Sequence, residues 1–116
     1  MIRIRRETDI EWLREIYALA LPPASWRHEE DLFWIATTGP TGRAGELLAF
    51  ASGCGHGEAF ELTSCAVVSS AAGRGMQRRM LRVRESYARR HSYKSVCTYT
   101  SRDNYASITN LIRAGY

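Results

Sequence analysis

Lysine is almost absent from this sequence. Lys94 is the single lysine among 16 basic residues, so the net charge of +4 rests on arginine. Cysteine is sparse as well, and Cys54, Cys65 and Cys97 stand far apart with no C-x-x-C pair. An odd, scattered set excludes a disulfide framework and carries no zinc spacing, so all three read as reduced, packed thiols and no metal is expected. No apolar run approaches the ~20 residues that a membrane span requires. The N-terminus, with Arg3, Arg5 and Arg6, lacks the apolar segment of a signal peptide. These absences point to a soluble, cytoplasmic protein with no membrane association. With 45% hydrophobic and 24% charged residues in 116, one globular domain spanning 1–116 is expected.

What is present centres on Glu61 to Arg79. An apolar stretch, Cys65-Ala66-Val67-Val68, runs through Ser69-Ser70-Ala71-Ala72 into Gly73-Arg74-Gly75 and then a helix-period segment opening at Met76. A buried strand that empties through a glycine turn into a helix N-terminus aims backbone N–H groups at one spot, where they can hold a phosphate. On G-x-G alone, a plain strand-to-helix turn is the stronger reading. Arginine clusters on the following segment, from Arg74 through Arg78, Arg82 and Arg89 to Arg90. That face suits a polyphosphate, an acidic partner or plain solvation. A nucleic-acid role is disfavoured because no aromatic residues interleave with the basic stripe.

The elements follow from periodicity. Ile2-Arg3-Ile4-Arg5 alternates as a first strand, and Thr8-Asp9-Ile10-Glu11 has the form of a capping box opening a helix that ends before Pro22-Pro23. Ser25 to Leu32 reads as a short second helix. Phe33 to Thr37 and Glu46 to Ala51 flank the Gly39-Pro40-Thr41-Gly42 turn as a hairpin. Gly53, Gly55 and Gly57, with Cys54 and His56 between them, read as a second turn before a long central strand, Phe60 to Val68. Two candidate ligands, Cys54 and His56, are fewer than a metal site needs, so a solvated loop is expected there. Met76, Met80, Val83 and Tyr87 form the apolar stripe of a long helix, widened by Leu81 and Ala88. Val96 to Thr100 is a further strand, which a right-handed crossover sets parallel to the central one. Asn104 to Arg113 is a final helix before Gly115-Tyr116. The three tryptophans, Trp12, Trp26 and Trp34, are assigned to packing.

This order of elements resembles the GCN5-related N-acetyltransferases over essentially the whole chain. Two blocks carry the likeness. Ala72-Gly73-Arg74-Gly75-Met76-Gln77 is similar to the family's Arg/Gln-x-x-Gly-x-Gly/Ala signature. Asn104-x-x-Ser107, closing at Gly115-Tyr116, is similar to its Asn-x-x-Ala/Ser helix and Gly-Phe/Tyr end. The resemblance implies an α/β (α+β) acyl-CoA N-acyltransferase fold with a mixed, mostly antiparallel sheet flanked by helices. It implies acetyl-CoA as cosubstrate, with pyrophosphate on the amides of Ala72, Gly73, Arg74, Gly75, Met76 and Gln77. Arg74 and Arg78 add charge, and Asn104 and Ser107 contribute from the last helix. The pantetheine arm would lie along Ala66, Val67 and Val68. The acceptor is a primary amine of a small molecule or protein.

Glu61 resembles the basic glutamate of the histone-acetylating members and is the expected proton acceptor; a strand glutamate on the wet face is the competing reading. Leu111 stands where many members place a tyrosine acid, which leaves Tyr105, Ser107 or solvent to protonate the thiolate. Ala72 and Gln77 also depart from the signature, without removing backbone amides. The family continues past Gly-Tyr with two antiparallel strands, whereas this chain stops at Tyr116. A C-terminally short domain is therefore expected, truncated or with its open sheet edge completed in a homodimer. Two functions go forward: an acetyl-CoA-dependent N-acetyltransferase, and a degenerate relative that binds CoA or an acidic partner without turnover.

Overall fold

Strands form where β-branched and aromatic residues recur, and five of them assemble into one sheet. The computed structural model describes residues 2–20, 32–38 and 46–98, together with Ile112, Gly115 and Tyr116. Strand β1 (Ile2–Glu7) leads into helix α1 (Ile10–Ala20); β2 (Leu32–Thr38), β3 (Leu47–His56) and β4 (Ala59–Val67) follow. A single 3-10 turn (Ser69–Ala71), helix α2 (Met76–Arg90) and strand β5 (Ser95–Thr98) complete the described elements. Sheet order is β1-β2-β3-β4-β5, antiparallel throughout except for the parallel β4–β5 pair. The α2 crossover between β4 and β5 is what allows that parallel pairing.

Both faces of the sheet are covered, which explains why β2 reads as an unbroken apolar run rather than an alternation. Trp34, Ala36, Ala51, Phe60 and Leu62 pack on one face with Met76, Met80, Leu81 and Ala88 of α2. Phe33, Ile35 and Phe50 point to the other face, against Leu13 and Ile16 of α1. Phe60 anchors the α2 side, with ring centroids 5.2–6.4 Å from those of Trp34, Tyr87 and Tyr93. The Arg6 guanidinium lies 5.4 Å from the Trp34 and Tyr87 ring centres, so its charge rests on aromatic faces. Trp34 is core, as its sequence suggests, and Trp12 packs beside the α1 cluster. No helix among the described residues is long and apolar enough to cross a membrane.

Four local expectations are corrected. The cap of α1 is Asp9 rather than Thr8: the Trp12 N–H donates to Asp9 Oδ1 at 3.1 Å, and Asp9 lies directly before the first helical residue. Leu32 belongs to β2, while residues 21–31 of the proposed second helix lie outside the described residues. Val68 has left β4, although its N–H still reaches the Leu48 carbonyl at 2.9 Å. The Gly53–Gly57 stretch is mostly strand, with the turn confined to Gly57 and Glu58. Its glycines answer a packing need: a Cβ on Gly53 would come within 2.6 Å of the Phe60 ring, and one on Gly55 would overlap the Tyr93 hydroxyl. Close approach, not bend formation, selects glycine at those two positions.

The β1–α1 junction is tied by Glu7, a buried carboxylate. It accepts the N–H groups of Thr8 (2.9 Å) and Asp9 (3.1 Å) and pairs with Arg5 at 3.0 Å. Burial works to raise its pKa, but the two N–H donors and Arg5 outweigh it and hold the carboxyl below the ordinary value of 4.5. A depressed folded-state pKa contributes stability above the unfolded value, lost as pH falls through the folded one. Relative to Glu7→Gln, the wild-type protein is expected to hold an advantage at neutral pH that shrinks on acidification below about pH 4. Urea denaturation at neutral and acid pH checks this, and an advantage undiminished in acid would refute it.

Candidate functional site: a glycine turn after the central strand

Beyond β4 the chain makes one 3-10 turn, closed by the Ala71 N–H on the Val68 carbonyl (2.9 Å), and then reverses through Ala72-Gly73-Arg74-Gly75 into α2. Gly73 and Gly75 hold φ of +77° and +76°, the left-handed region that glycine enters without the steric cost a Cβ brings. Gly75 is the N-cap of α2, no side chain caps the helix there, and the first intrahelical bond runs from the Arg79 N–H to the Gly75 carbonyl at 3.1 Å. A Cβ placed on either glycine would meet nothing within 4 Å. The turn thus faces open space, with a helix N-terminus directed into it and the exposed side chains of Arg74 and Arg78 beside it. That is the donor set and charge an anionic group requires. Met76 differs from its neighbours, since its side chain is buried under the sheet and only its backbone belongs to the turn.

Strand β4 leads directly to this turn. Its parallel register with β5 covers Ala59↔Ser95 to Leu62↔Thr98, where the Thr98 hydroxyl donates to the Leu62 carbonyl at 3.2 Å. From Cys65 to Val67 β4 is paired with β3, and residues 99–111, which follow β5, lie outside the described residues. Ala66, Val67 and Val68, the residues expected to line an extended ligand arm, are half-buried.

Glu61 lies in the stretch of β4 that pairs with β5, opposite Cys97. Alternation sets it on the sheet face opposite to Phe60 and Leu62, and it is buried, 6% exposed, which settles against the wet-face reading. Its Oε1 is 3.1 Å from Nε2 of His56, an exposed residue, and the same nitrogen is 3.1 Å from Cys54 Sγ. Cys54 and Glu61 are cross-strand partners. The expected solvated loop at Cys54 and His56 is therefore the end of a rigid hairpin, brought against a third polar residue by strand pairing. Counting back from a two-residue turn at Gly57-Glu58 would have set Cys54 opposite Glu61.

A buried cation, Arg84, joins α2 to the β3–β4 pair. Its Nε donates to the Met80 carbonyl (3.2 Å), and its Nη1 to the carbonyls of Ser52 (3.0 Å) and Ser64 (3.4 Å). The Ser64 N–H in turn donates to Ser52 Oγ at 3.0 Å, and Ser52 shares a hydrogen bond with Thr63. Ser52 occupies the register shift between Ala51 and Gly53, so Arg84 ties the β3 irregularity to the stretch of β4 that runs on toward the glycine turn. Burial draws the arginine pKa down from its ordinary value, opposed by Cys65, Tyr116 and Glu85. Burial also pushes the Cys65 thiol up, against the pull of Arg84. Sequence reasoning missed Arg84. The available signal was its place at four and eight residues from Met80 and Met76, in phase with the apolar stripe.

The outer face of α2 keeps its expected basic character: Arg82, Arg89 and Arg90, with Val83 and Ser86, line an open surface recess of ≈ 470 Å³. At the C-terminus the Tyr116 hydroxyl donates to Glu85 at 3.0 Å; burial first, then that bond, raise its pKa. Asn104, Tyr105, Ser107 and Leu111 lie outside the described residues.

No protein-family model matches the chain, and a search of curated proteins finds no match. Solved structures do match. The chain is similar to AAC(6')-Iy in complex with the bisubstrate analogue CoA-S-monomethyl-acetylneamine, at 16% identity over 100% of this chain and 90% of that one, with TM-score 0.79. Likeness to the IAA acetyltransferase of Bacillus cereus has 16% identity, coverage of 99% and 76%, and TM-score 0.82. For the ribosomal-protein-S18-alanine N-acetyltransferase of Escherichia coli the values are 20%, 99% and 77%, and 0.79. Identities this low carry fold alone, and the glycine turn stands within that fold. The chain has the acyl-CoA N-acyltransferase fold, the fold of the GCN5-related N-acetyltransferases that its two sequence blocks resemble.

Proposed function

We propose that this protein is an acetyl-CoA-dependent N-acetyltransferase acting on a primary amine of a small molecule or a protein. The observation that carries the reading is the turn that follows β4: two left-handed glycines facing open space and leading into a helix N-terminus without a side-chain cap. The structural neighbour AAC(6')-Iy has also been solved in complex with CoA, which supports the choice of ligand.

In this reading the turn from Gly73 to Gln77 receives the pyrophosphate through backbone N–H groups, with Arg74 and Arg78 adding charge-assisted contacts, while the Ala72 N–H, expected to join them, is already donated to the Ser69 carbonyl at 3.2 Å. The backbone of Ala66, Val67 and Val68 receives the pantetheine arm. When bound, acetyl-CoA supplies an acyl group activated as a thioester. Glu61 accepts the proton that an attacking ammonium must lose, and the exposed imidazole of His56, 3.1 Å away, links that buried carboxylate to solvent. Arg84 holds Ser64 in place on β4, as a positioning residue. Asn104 and Ser107 keep the cosubstrate-binding roles the family resemblance gives them, and Tyr105 substitutes for the family tyrosine, replaced here by Leu111, as proton donor to the thiolate.

A thermal-shift titration with acetyl-CoA and CoA tests the reading. Both are expected to raise the melting temperature, by several degrees at ligand near 100 times Kd, where linkage supplies about 2.7 kcal/mol. Thiol release across a panel of amines then identifies turnover, and Glu61→Gln is expected to cut it by about 10²–10⁴-fold with acetyl-CoA stabilisation retained. Absence of stabilisation by either ligand overturns the proposed function. Undiminished turnover in Glu61→Gln overturns the role of Glu61 only.

A further inference from the structure

We propose that Cys54, His56 and Glu61 form a binding site for a divalent transition-metal ion of zinc type, with three protein ligands and an open fourth position. The donor atoms of these residues lie within 4.8 Å of one another. Two of the three separations, His56 Nε2 to Cys54 Sγ and His56 Nε2 to Glu61 Oε1, are 3.1 Å. In a tetrahedral centre with zinc–ligand distances of about 2.0–2.3 Å, donors stand roughly 3.3–3.6 Å apart, so the two His56 pairs need shifts of a few tenths of an ångström and the Cys54–Glu61 pair, within 4.8 Å, closes by up to about an ångström to admit an ion.

The setting matches the donor chemistry. Cys54 and Glu61 are buried cross-strand partners on β3 and β4, and His56 lies two residues along the same strand face. The ligands therefore sit on paired backbone rather than on a loop, and the exposed imidazole marks the side from which an ion enters. A thiolate, a carboxylate and a neutral imidazole balance a doubly charged ion, leaving a site of no net charge in a low-dielectric location. Sulfur and nitrogen donors favour zinc over magnesium or calcium. On binding, the Cys54 thiol releases its proton to solvent, the His56 proton moves to Nδ1, and Zn–S, Zn–N and Zn–O bonds form. The site stands on this trio and does not depend on acetyl transfer, although an ion on Glu61 competes with any proton that carboxylate accepts.

Cobalt(II), a spectroscopic stand-in for zinc, provides the test on the full chain. Saturating cobalt is expected to give one ion per chain, d–d bands of tetrahedral intensity and a thiolate-to-cobalt charge-transfer band in the near ultraviolet, all bleached by equimolar zinc. Cys54→Ser is expected to abolish the charge-transfer band, and His56→Ala to weaken zinc binding at least about 100-fold in calorimetry. Absence of the charge-transfer band in the wild-type protein at saturating cobalt overturns the site, whatever the variants do. A band that persists in folded Cys54→Ser overturns it as well, because the thiolate would then be Cys65 or Cys97. Acetyl-CoA stabilisation in the same preparation reports on the proposed function separately.

Discussion

Arg84→Ala is expected to lower the unfolding free energy by about 3 kcal/mol, which for a domain of this size moves the melting temperature down by roughly 10 °C or more. Arg84 is 4% exposed, and its side chain donates to the carbonyls of Met80, Ser52 and Ser64. Hydrogen bonds from a charged donor are worth about 1.5–3 kcal/mol each, and removing the donor leaves buried carbonyls beside a cavity. Two of the acceptors belong to the β3 irregularity and to the stretch of β4 that runs on toward the glycine turn, so the same change should also weaken acetyl-CoA stabilisation. Arg84→Met, which fills the volume without donating, is expected to lose less stability than alanine while still weakening ligand binding. Denaturant unfolding and ligand titration of both variants check the two effects. A loss under about 1 kcal/mol in Arg84→Ala would show that the carbonyls find other partners.

The double substitution Gly73→Val with Gly75→Val is expected to raise the Kd for acetyl-CoA by at least about 30-fold, equivalent to about 2 kcal/mol. It should also lower stability by about 2–4 kcal/mol, because each glycine sits at a φ near +77° that costs an L residue about 1–2 kcal/mol. The β-branched side chains would project into the open space before the helix N-terminus, the approach assigned to the pyrophosphate. Gly57→Val provides the control: its φ of +58° imposes similar strain on the β3–β4 turn, far along the chain from the ligand turn. It should melt earlier and still respond to acetyl-CoA. Equal loss of ligand response in both proteins would mean that backbone strain, and not blockage of the turn, governs binding.

Much of the fold is legible because its signals are local. Helix α2 opens at Met76 where the glycine turn ends, and its methionine stripe faces the sheet as the period requires. The parallel placement of β5 follows from the handedness of a crossover. The errors also share a cause, since they arise where long-range contacts override local chemistry. Gly53 and Gly55 look like turn residues in sequence but are strand residues making room for Phe60 and Tyr93. The cap moved from Thr8 to Asp9 because Glu7 already engages the N–H groups of Thr8 and Asp9.

By itself the sequence determined the strand, glycine turn and helix of residues 59–90, because apolar periodicity and positive-φ glycine act over a few residues. It also determined which backbone amides lie at the N-terminus of α2, since those follow from where a helix starts. Only the tertiary structure decided that Glu61 is buried, that His56 and Cys54 reach it, and that Arg84 lies inside the protein. Each of those facts depends on strand register or on the packing of α2 over β3 and β4. Register is set by pairing energies summed along two strands, and a shift of one residue would turn Glu61 away from its partners.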